Sequence, residues 1–240
     1  MYVEHEVFIG LRDVNLDNKV TNTALLAYLE DAGGVHSNLV GYGLNDIPFI
    51  KRSWVLLNWK IEIFKRPKYA EKIIVKTWSR GIDKLYAYRD FEILDDKRNV
   101  IGIATSKWVL MDIEKMSVMK LNEDIVKCYT VENRSVFEDG SLKKIKEPEE
   151  YSGMTEFAIN RSLIDVNDHV HNIYFMDIAN EVLPMEVYKK SEFNSIRVMY
   201  KHEIKLGDVV KVFYYVKDGK NIVTIKSYDE KKVHAILSLK

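Results

Sequence analysis

Two stretches of the chain have the hydrophobic spacing of an amphipathic helix, and a strand-like run precedes each of them. The strand-like runs cover residues 3–11 and 155–164. Apolar residues that share one helix face are Ala24, Leu25, Tyr28, Leu29 and Ala32 in the first stretch, and Phe175, Ile178, Ala179, Val182 and Leu183 in the second. Spacing of this kind predicts a helix that buries one face.

Residues near the ends of the two stretches indicate where each helix begins and ends. Asn22 and Asn172, or the residues beside them, can cap the helix starts, because a side-chain oxygen there accepts an otherwise unbonded backbone N–H. We expect Gly33-Gly34 or Gly41 to end the first helix, and Pro184 to end or kink the second.

Four further segments with β-rich or alternating character follow each helix. The predicted strands cover about 54–64, 72–79, 86–94 and 100–111 in the first half, and about 196–204, 209–216, 222–228 and 234–239 in the second. Residues 95–99 and 217–220 have the composition of hairpin turns. Each half therefore consists of one strand, one helix and four strands.

The two halves also match each other in sequence around the helix starts. Residues 15–31 and 165–181 align without a gap, which indicates an internal repeat. Valine and asparagine recur at matching positions, whereas Lys19 stands where the second copy has His169.

A long antiparallel sheet with a single helix is most economically arranged with its apolar face around that helix. We therefore predict an α+β fold, a tandem (double) hotdog in which two antiparallel sheets each wrap around a long central helix. The predicted domains are residues 1–131 and 152–240. The polar, charge-rich residues 132–151 are the predicted linker between them.

The overall charge and composition exclude some classes of function. Lys plus Arg and Asp plus Glu each number 36, so no global positive field marks a nucleic-acid-binding protein. Cys128 is the single cysteine, which excludes an internal disulfide. The first residues carry acids where a secretory signal needs a basic start, and no segment approaches the ~18 apolar residues of a membrane helix. We expect a soluble cytoplasmic protein without a membrane span.

Three motifs resemble the acyl-ACP thioesterase family of plants and bacteria. They are DVNDHVHN at residues 165–172, ATSKWVLMD at 104–112 and YKHE at 200–203. The resemblance implies that the chain hydrolyses acyl-ACP to a free fatty acid and acyl carrier protein (ACP) in fatty acid biosynthesis, a part of lipid metabolism. ACP would be the partner, and no cofactor is implied.

By position within those motifs, the resemblance places the family's catalytic Asn and His on Asn167 and His169, its acid on Glu203, and a supporting Asp on Asp165. Residues expected to contact the substrate are His171, Asn172, Tyr200 and Trp54. The first repeat, with Lys19 in place of His169 and no recognisable counterpart of Glu203, is expected to form the acyl pocket without performing chemistry.

The chain departs from the family pattern at three places. Plant members have Cys directly after the acid, but Ile204 follows Glu203 here, so a thiol nucleophile is not available at that position. His171 stands where the family has Asn, and Ile178 where it has Trp. These two changes affect the expected shape of the pocket more than the type of reaction.

Hydrolysis of a thioester needs a positioned water, a base for that water and donors for the developing oxyanion. We expect Glu203 to be the base, because a carboxylate on a strand that faces an apolar acyl pocket loses hydration and binds a proton more readily. His169 can share the proton transfer or donate to the carbonyl, and Asn167 can orient the water or His169. Backbone N–H groups near residues 171–173, at the start of the second helix, can hold the oxyanion.

Plainer interpretations exist for the same residues. Asp165 and Asn167 before a helix are also ordinary turn and cap residues. The imidazoles of His169 and His171, together with Asp165, allow a metal site. No persuasive further ligand pair accompanies them, so we predict no metal.

Other functions and assemblies stay open from the sequence. The alternatives are acyl-CoA hydrolysis by the same residues and a noncatalytic hotdog that binds an acyl chain or ACP. Acidic ACP needs a basic patch, for which residues 51–52, residues 65–66 with Lys68, and residues 189–190 are candidates. Both a monomer and a homodimer are compatible with a duplicated hotdog.

Overall fold

The structure is a computed structural model that describes residues 1–138, 142–189 and 192–240. Its contacts divide the chain into two compact units, Met1–Leu142 and Lys143–Lys240, with the division inside the predicted linker. Residues 139–141 of that linker, and Lys190 of the candidate basic pair at 189–190, lie outside the described residues. Each unit is described by itself.

The first unit is an antiparallel sheet with one long helix. Its strands are β1 (Tyr2–Phe8), β2 (Arg52–Ile63), β3 (Lys72–Asp83), β4 (Tyr86–Leu94), β5 (Val100–Asp112) and β6 (Ser117–Val118). Its helices are α1 (Asn22–Leu39), α2 (Ile47–Ile50) and α3 (Glu123–Tyr129). The strands lie in the order β1-β3-β4-β5-β2, and β6 pairs with the C-terminal end of β5.

Helix α1 has the length and burial that its hydrophobic spacing predicts. The hydroxyl of Thr21, directly before α1, accepts from the N–H of Ala24 at 3.1 Å and caps the helix. The helix continues through Gly33-Gly34, and it ends where Gly41 adopts a left-handed φ of 78°. Its buried face packs on β1 and β3, and β3 contributes alternate buried positions to that contact.

The second unit repeats this arrangement with a shorter helix. Its strands are β7 (Gly153–Ala158), β8 (Ser195–Tyr200), β9 (Val209–Lys217), β10 (Lys220–Ser227) and β11 (Val233–Leu239). Its helices are α4 (Tyr174–Asn180) and α5 (Met185–Tyr188). Read from β7, the strand order is β7-β9-β10-β11-β8. This repeats the order of the first unit, in which the first strand is followed by the third, fourth, fifth and second. Helix α4 packs on β10 and β11.

The α+β, double hotdog prediction is confirmed, since each unit has an antiparallel sheet against a helix and the two units share one topology. The predicted hairpin at 217–220 is also present. Lys217 pairs with Lys220, and Asp218 and Gly219 have the left-handed φ values of 51° and 69° that a tight two-residue turn requires.

Two details of the second unit differ from the sequence prediction. The central helix is short, because α4 ends at Asn180 and Pro184 caps the separate helix α5. No side-chain oxygen caps α4: the residue before it is Ile173, so the capping role expected at or beside Asn172 is wrong.

The described part of the predicted linker contains neither helix nor strand, yet it is not a free tether. Phe137 is buried beneath the ammonium of Lys60 at 3.9 Å in the first unit. Ile145 is buried with Met199 and Ile236 in the second. Within the described ranges, no helix is long and apolar enough to cross a membrane.

Candidate active site

A tight loop before α4 holds three of the predicted site residues. Ile164 and Val170 pair across the base of the loop, and the N–H of Asp165 donates to the carbonyl of His169 at 2.9 Å. Asp168 turns the chain with a left-handed φ of 62°, a conformation that Asp tolerates better than most residues. Asp165, Asn167 and His169 are therefore fixed relative to one another by backbone bonds.

The carboxylate of Asp165 orients Asn167. Its Oδ1 accepts the backbone N–H of Asn167 at 2.8 Å, and its Oδ2 accepts the side-chain Nδ2 at 3.2 Å. This is the turn that an Asp side chain makes with the residue two positions on. Neither of these two bonds uses the Asn167 amide oxygen, so that oxygen can accept a hydrogen bond from another donor.

Glu203 reaches the loop through a backbone bond made by its neighbour. The N–H of Val170 donates to the carbonyl of Ile204 at 2.8 Å. This bond brings His169, directly before Val170, close to Glu203, directly before Ile204. As a result, His169 Nε2 lies 3.6 Å from Glu203 Oε1. This separation is just beyond hydrogen-bond length, so a small side-chain rotation closes it.

The surroundings of Glu203 differ from those predicted. Strand β8 ends at Tyr200, so Glu203 is not on a strand, and its side chain is 56% exposed rather than desolvated. The chain leaves the ladder because the N–H groups of Lys201 and His202 both turn to the carbonyl of His234, at 2.8 and 3.3 Å. Solvent and neighbouring polar side chains, rather than an apolar pocket, therefore surround this carboxylate.

Two residues at this site had no signal in the sequence motifs. Lys205 Nζ lies 3.7 Å from Glu203 Oε1, so that oxygen has His169 on one side and an ammonium on the other. His234 Nδ1 lies 3.3 Å from the carbonyl of His202, and burial lowers the pKa of His234, which favours the neutral ring. Lys205 is close to Glu203 in sequence, whereas only the fold brings His234 to the Glu203 segment.

The predicted substrate-contacting residues lie in different places. Tyr200 Oη donates to the carbonyl of Asn172 at 3.0 Å. The His171 ring packs edge-on against Tyr174, with centroids 6.0 Å apart. Trp54 belongs to the first unit, where its indole N–H donates to Tyr129 Oη at 2.8 Å.

The backbone N–H groups expected to hold an oxyanion are partly in use. The N–H of His171 donates to the carbonyl of Leu163 at 2.9 Å, so it is committed to the loop. Asn172 and Ile173, which directly precede α4, are the remaining candidates of that group.

The first unit contains the same loop with different side chains. The N–H of Asn15 donates to the carbonyl of Lys19 at 2.8 Å, and Asn18 has a left-handed φ of 63°. The N–H of Val20 donates to the carbonyl of Pro67 at 2.9 Å, as Val170 does to Ile204. The internal repeat read from the sequence is thus a repeat of hydrogen bonds as well.

This match identifies the counterpart of Glu203 that the sequence did not reveal. Since Pro67 matches Ile204, the residue before it, Arg66, matches Glu203. Arg66 is buried and donates from Nη1 to the carbonyl of Val20 at 2.8 Å. Lys19 and Arg66, two cations, thus stand where the second unit has His169 and Glu203, and neither supplies a carboxylate base.

The sequence allows a metal site at His169, His171 and Asp165. Among the residues that the structure describes, no group of three or more His, Cys, Asp or Glu side chains is arranged to hold a metal ion.

Comparison with known proteins gives the family. The acyl-ACP thioesterase N-terminal domain matches residues 3–129, and the acyl-ACP thioesterase C-terminal domain matches residues 146–236. The chain is 28% identical to a chloroplastic oleoyl-acyl carrier protein thioesterase of Coriandrum sativum, over 82% of this chain and 58% of that protein. It is also 28% identical to oleoyl-acyl carrier protein thioesterase 1 of Arabidopsis thaliana, over 82% of this chain and 59% of that protein. The chain thus spans less than two thirds of the length of these relatives.

Solved structures agree in fold. An acyl-ACP thioesterase from Bacteroides thetaiotaomicron superposes with a TM-score of 0.88 at 22% identity, covering 99% of this chain and 96% of that one. The 12:0-ACP thioesterase from Umbellularia californica superposes with a TM-score of 0.87 at 16% identity, covering 100% and 96%. Since the two domain matches together take in most of the chain, the protein belongs to the acyl-ACP thioesterase family.

Proposed function

We propose that this protein hydrolyses the thioester of acyl-ACP, releasing a free fatty acid and ACP in fatty acid biosynthesis. The observation that carries the proposal is the 3.6 Å approach of His169 Nε2 to Glu203 Oε1, beside the oriented amide of Asn167. All of these residues fall within the stretch that matches the family's C-terminal domain.

Water is the nucleophile in this proposal. Glu203 accepts a proton from the water while the water oxygen attacks the thioester carbonyl carbon. The carbon–sulfur bond then breaks, and the departing thiolate takes up the proton, which His169 is close enough to relay. The products are a carboxylic acid and a thiol, so the step needs no redox partner. Ile204, directly after Glu203, offers no thiol for a covalent alternative.

Asn167 and the backbone before α4 would support this step. Asp165 holds the Asn167 amide by two hydrogen bonds, which favours one orientation of its oxygen toward the water or the His169 ring. The N–H groups of Asn172 and Ile173 are the best placed donors for the oxyanion, because the His171 N–H is already bonded.

The partner and setting are part of the same proposal. ACP is the acyl carrier, the reaction is cytoplasmic, and His171 contacts the substrate. A homodimer stays an expectation that sedimentation of the purified protein would check.

The test is turnover of purified protein on matched acyl-ACP and acyl-CoA thioesters across several chain lengths. We expect hydrolysis of acyl-ACP, and a fall of kcat/KM by about 100-fold or more in Asn167→Ala, His169→Ala and Glu203→Gln. Circular dichroism and thermal unfolding would show that these variants remain folded.

The first repeat supplies matched controls. Asp17→Ala and Lys19→Ala remove side chains at the loop positions of Asn167 and His169, and we expect kcat/KM to stay within about 2-fold of the parent. Undiminished hydrolysis in all three site variants would overturn the site. Absence of hydrolysis on every acyl-ACP would overturn the function, and a clear preference for acyl-CoA would overturn the carrier.

A further inference from the structure

Two hydrogen bonds tether the loop that carries His169 to the segment that carries Glu203. One of these two tethers has a counterpart in the first repeat, and the other does not. The shared tether is the N–H to carbonyl bond of Val170 to Ile204, at 2.8 Å, which Val20 and Pro67 reproduce at 2.9 Å. It sets the backbone of the loop beside the segment that follows the second strand of each unit.

The other tether is a side-chain bond. Tyr200, the last residue of β8, donates from Oη to the carbonyl of Asn172 at 3.0 Å. Its ring also packs edge-on against Phe175 of α4, with centroids 5.3 Å apart. The hydroxyl therefore ties the strand that leads to Glu203 to the chain that leaves His169.

The matching position in the first repeat cannot make this bond. Tyr200 lies four residues before Ile204, and Ile63 lies four residues before Pro67, at the end of β2. Isoleucine has no hydroxyl to donate. The second tether thus accompanies the unit that has His169 and Glu203, not the unit that has Lys19 and Arg66.

The geometry of the pair makes it dependent on such tethers. The side chains of His169 and Glu203 are 32% and 56% exposed, so packing fixes them only in part. Their separation follows from where the two backbones lie. A shift of one backbone by about 1 Å would widen the gap beyond what a small side-chain rotation can close, and a displacement of that size can lower a reaction rate about 100-fold.

We infer that Tyr200 is a positioning residue, which holds the loop and the Glu203 segment in the register that lets His169 and Glu203 act together. This role is distinct from the substrate contact expected from the sequence, since it uses the bond of the hydroxyl to a main-chain carbonyl. The inference rests on the proposed function, in which that pair performs the proton transfer.

The test compares Tyr200→Phe with Tyr214→Phe. Both changes remove one hydrogen-bonded, partly buried hydroxyl from the second unit, since Tyr214 Oη donates to Asn221 Oδ1 at 2.8 Å. Phenylalanine keeps the ring that packs on Phe175. We expect kcat on acyl-ACP to fall about 10-fold in Tyr200→Phe with KM within about 2-fold of the parent, and neither constant to change in Tyr214→Phe.

A double-mutant cycle shows whether Tyr200 acts through the pair. In the Glu203→Gln background, Tyr200→Phe should lower single-turnover hydrolysis by less than about 2-fold, because the pair it positions is already lost. An equal 10-fold loss in both backgrounds, an unchanged kcat in Tyr200→Phe, or a raised KM with unchanged kcat would each overturn the inference.

A measurement without substrate separates this inference from the proposed function. In the parent, Glu203→Gln should shift the NMR signals of the His169 ring. That shift should be at least halved when the same change is made in Tyr200→Phe, and kept in Tyr214→Phe. Equal shifts in all three proteins would overturn the positioning role even if no acyl-ACP were hydrolysed.

Discussion

The Nδ1 atom of His36 on α1 accepts a hydrogen bond from Arg89 Nη1 on β4 at 2.9 Å, inside the first unit. A guanidinium has only donors, so the accepting ring nitrogen carries no proton. The His36 ring is fully buried and lies edge-on to Tyr129, with centroids 5.3 Å apart. Burial, and secondarily the charge of Arg89, lower the pKa of His36 from 6.5 to about 3.

This pair predicts a loss of stability in mild acid. Below pH 6.5 the unfolded chain binds a proton at His36, whereas the folded protein does not until about pH 3. The contribution of His36 to the free energy of unfolding is therefore complete above pH 6.5, and it is lost as the pH falls from 6.5 towards about 3. Between pH 7 and pH 5 we expect it to lower the free energy of unfolding by about 2 kcal/mol. Urea unfolding at the two pH values measures the change.

His36→Gln isolates this contribution from other titrating groups. The glutamine amide oxygen can still accept from Arg89, but the side chain does not titrate. All other groups are common to both proteins, so the parent should lose about 2 kcal/mol more than the variant between pH 7 and pH 5. Equal losses in the two proteins would contradict the prediction.

The two equivalent loops predict a pair of variants with similar stability and different activity. Asp165 accepts two hydrogen bonds from Asn167, and Asn15 Oδ1 accepts the N–H groups of Asp17 and Lys19, both at 3.0 Å. Asp165→Ala and Asn15→Ala should each lower the free energy of unfolding by about 1 kcal/mol, because each loop loses two local hydrogen bonds that are exposed or only partly buried.

Only Asp165→Ala should impair hydrolysis, since only its loop carries the proposed reacting residues. We expect its kcat on acyl-ACP to fall about 10-fold as Asn167 loses its fixed orientation, with Asn15→Ala unchanged. Thermal unfolding and steady-state kinetics of the two purified proteins measure both quantities. Similar kinetics in the two variants would show that the Asp165 turn is purely structural.

Much of the fold follows from local sequence. The hydrophobic period of residues 24–32 predicts α1, and most of the alternating segments that follow each helix give strands close to their observed bounds. The first strand of each unit is shorter than predicted, because β1 ends at Phe8 and β7 at Ala158. The match between residues 15–31 and 165–181 predicts the repeat, because the turn residues that build both loops are themselves local.

The parts that the sequence missed depend on long-range contacts. The end of β8 at Tyr200 is set by the carbonyl of His234 on β11, which takes two N–H groups from the segment that follows the strand. That departure is what leaves Glu203 exposed beside Lys205. Likewise, Arg66 is recognisable as the counterpart of Glu203 only through the bond between Val20 and Pro67. The spacing of hydrophobic residues along the sequence does not reveal such long-range hydrogen bonds.

The beginning of the predicted linker is bound to the sheet of the first unit through Asp90. This fully buried carboxylate accepts the N–H of Val136 at 2.9 Å and the hydroxyl of Thr105 at 2.6 Å, and Arg80 Nε lies 3.1 Å from it. Desolvation raises the pKa of Asp90, opposed by these bonds and by Arg80. On the same strand, Glu92 meets Arg134 at 2.5 Å near solvent.

Asp90→Ala and Glu92→Ala therefore compare a fully buried carboxylate with a partly buried one on the same strand. Removing Asp90 leaves the Val136 N–H and the Arg80 guanidinium without their shared acceptor inside the protein, so we expect a loss of about 3 kcal/mol in the free energy of unfolding. Removing Glu92 should cost less than about 1 kcal/mol, because Arg134 is half exposed and water replaces its partner.

Hydrogen exchange of the Val136 amide, together with urea unfolding, measures both effects. In Asp90→Ala this amide should exchange at least about 10-fold faster than in the parent, because it loses its acceptor and the segment detaches from the sheet. In Glu92→Ala its exchange should stay close to that of the parent. Fast exchange of the Val136 amide in the parent itself would mean that residues 132–137 form a free tether and that Asp90 is held by Arg80 and Thr105 alone.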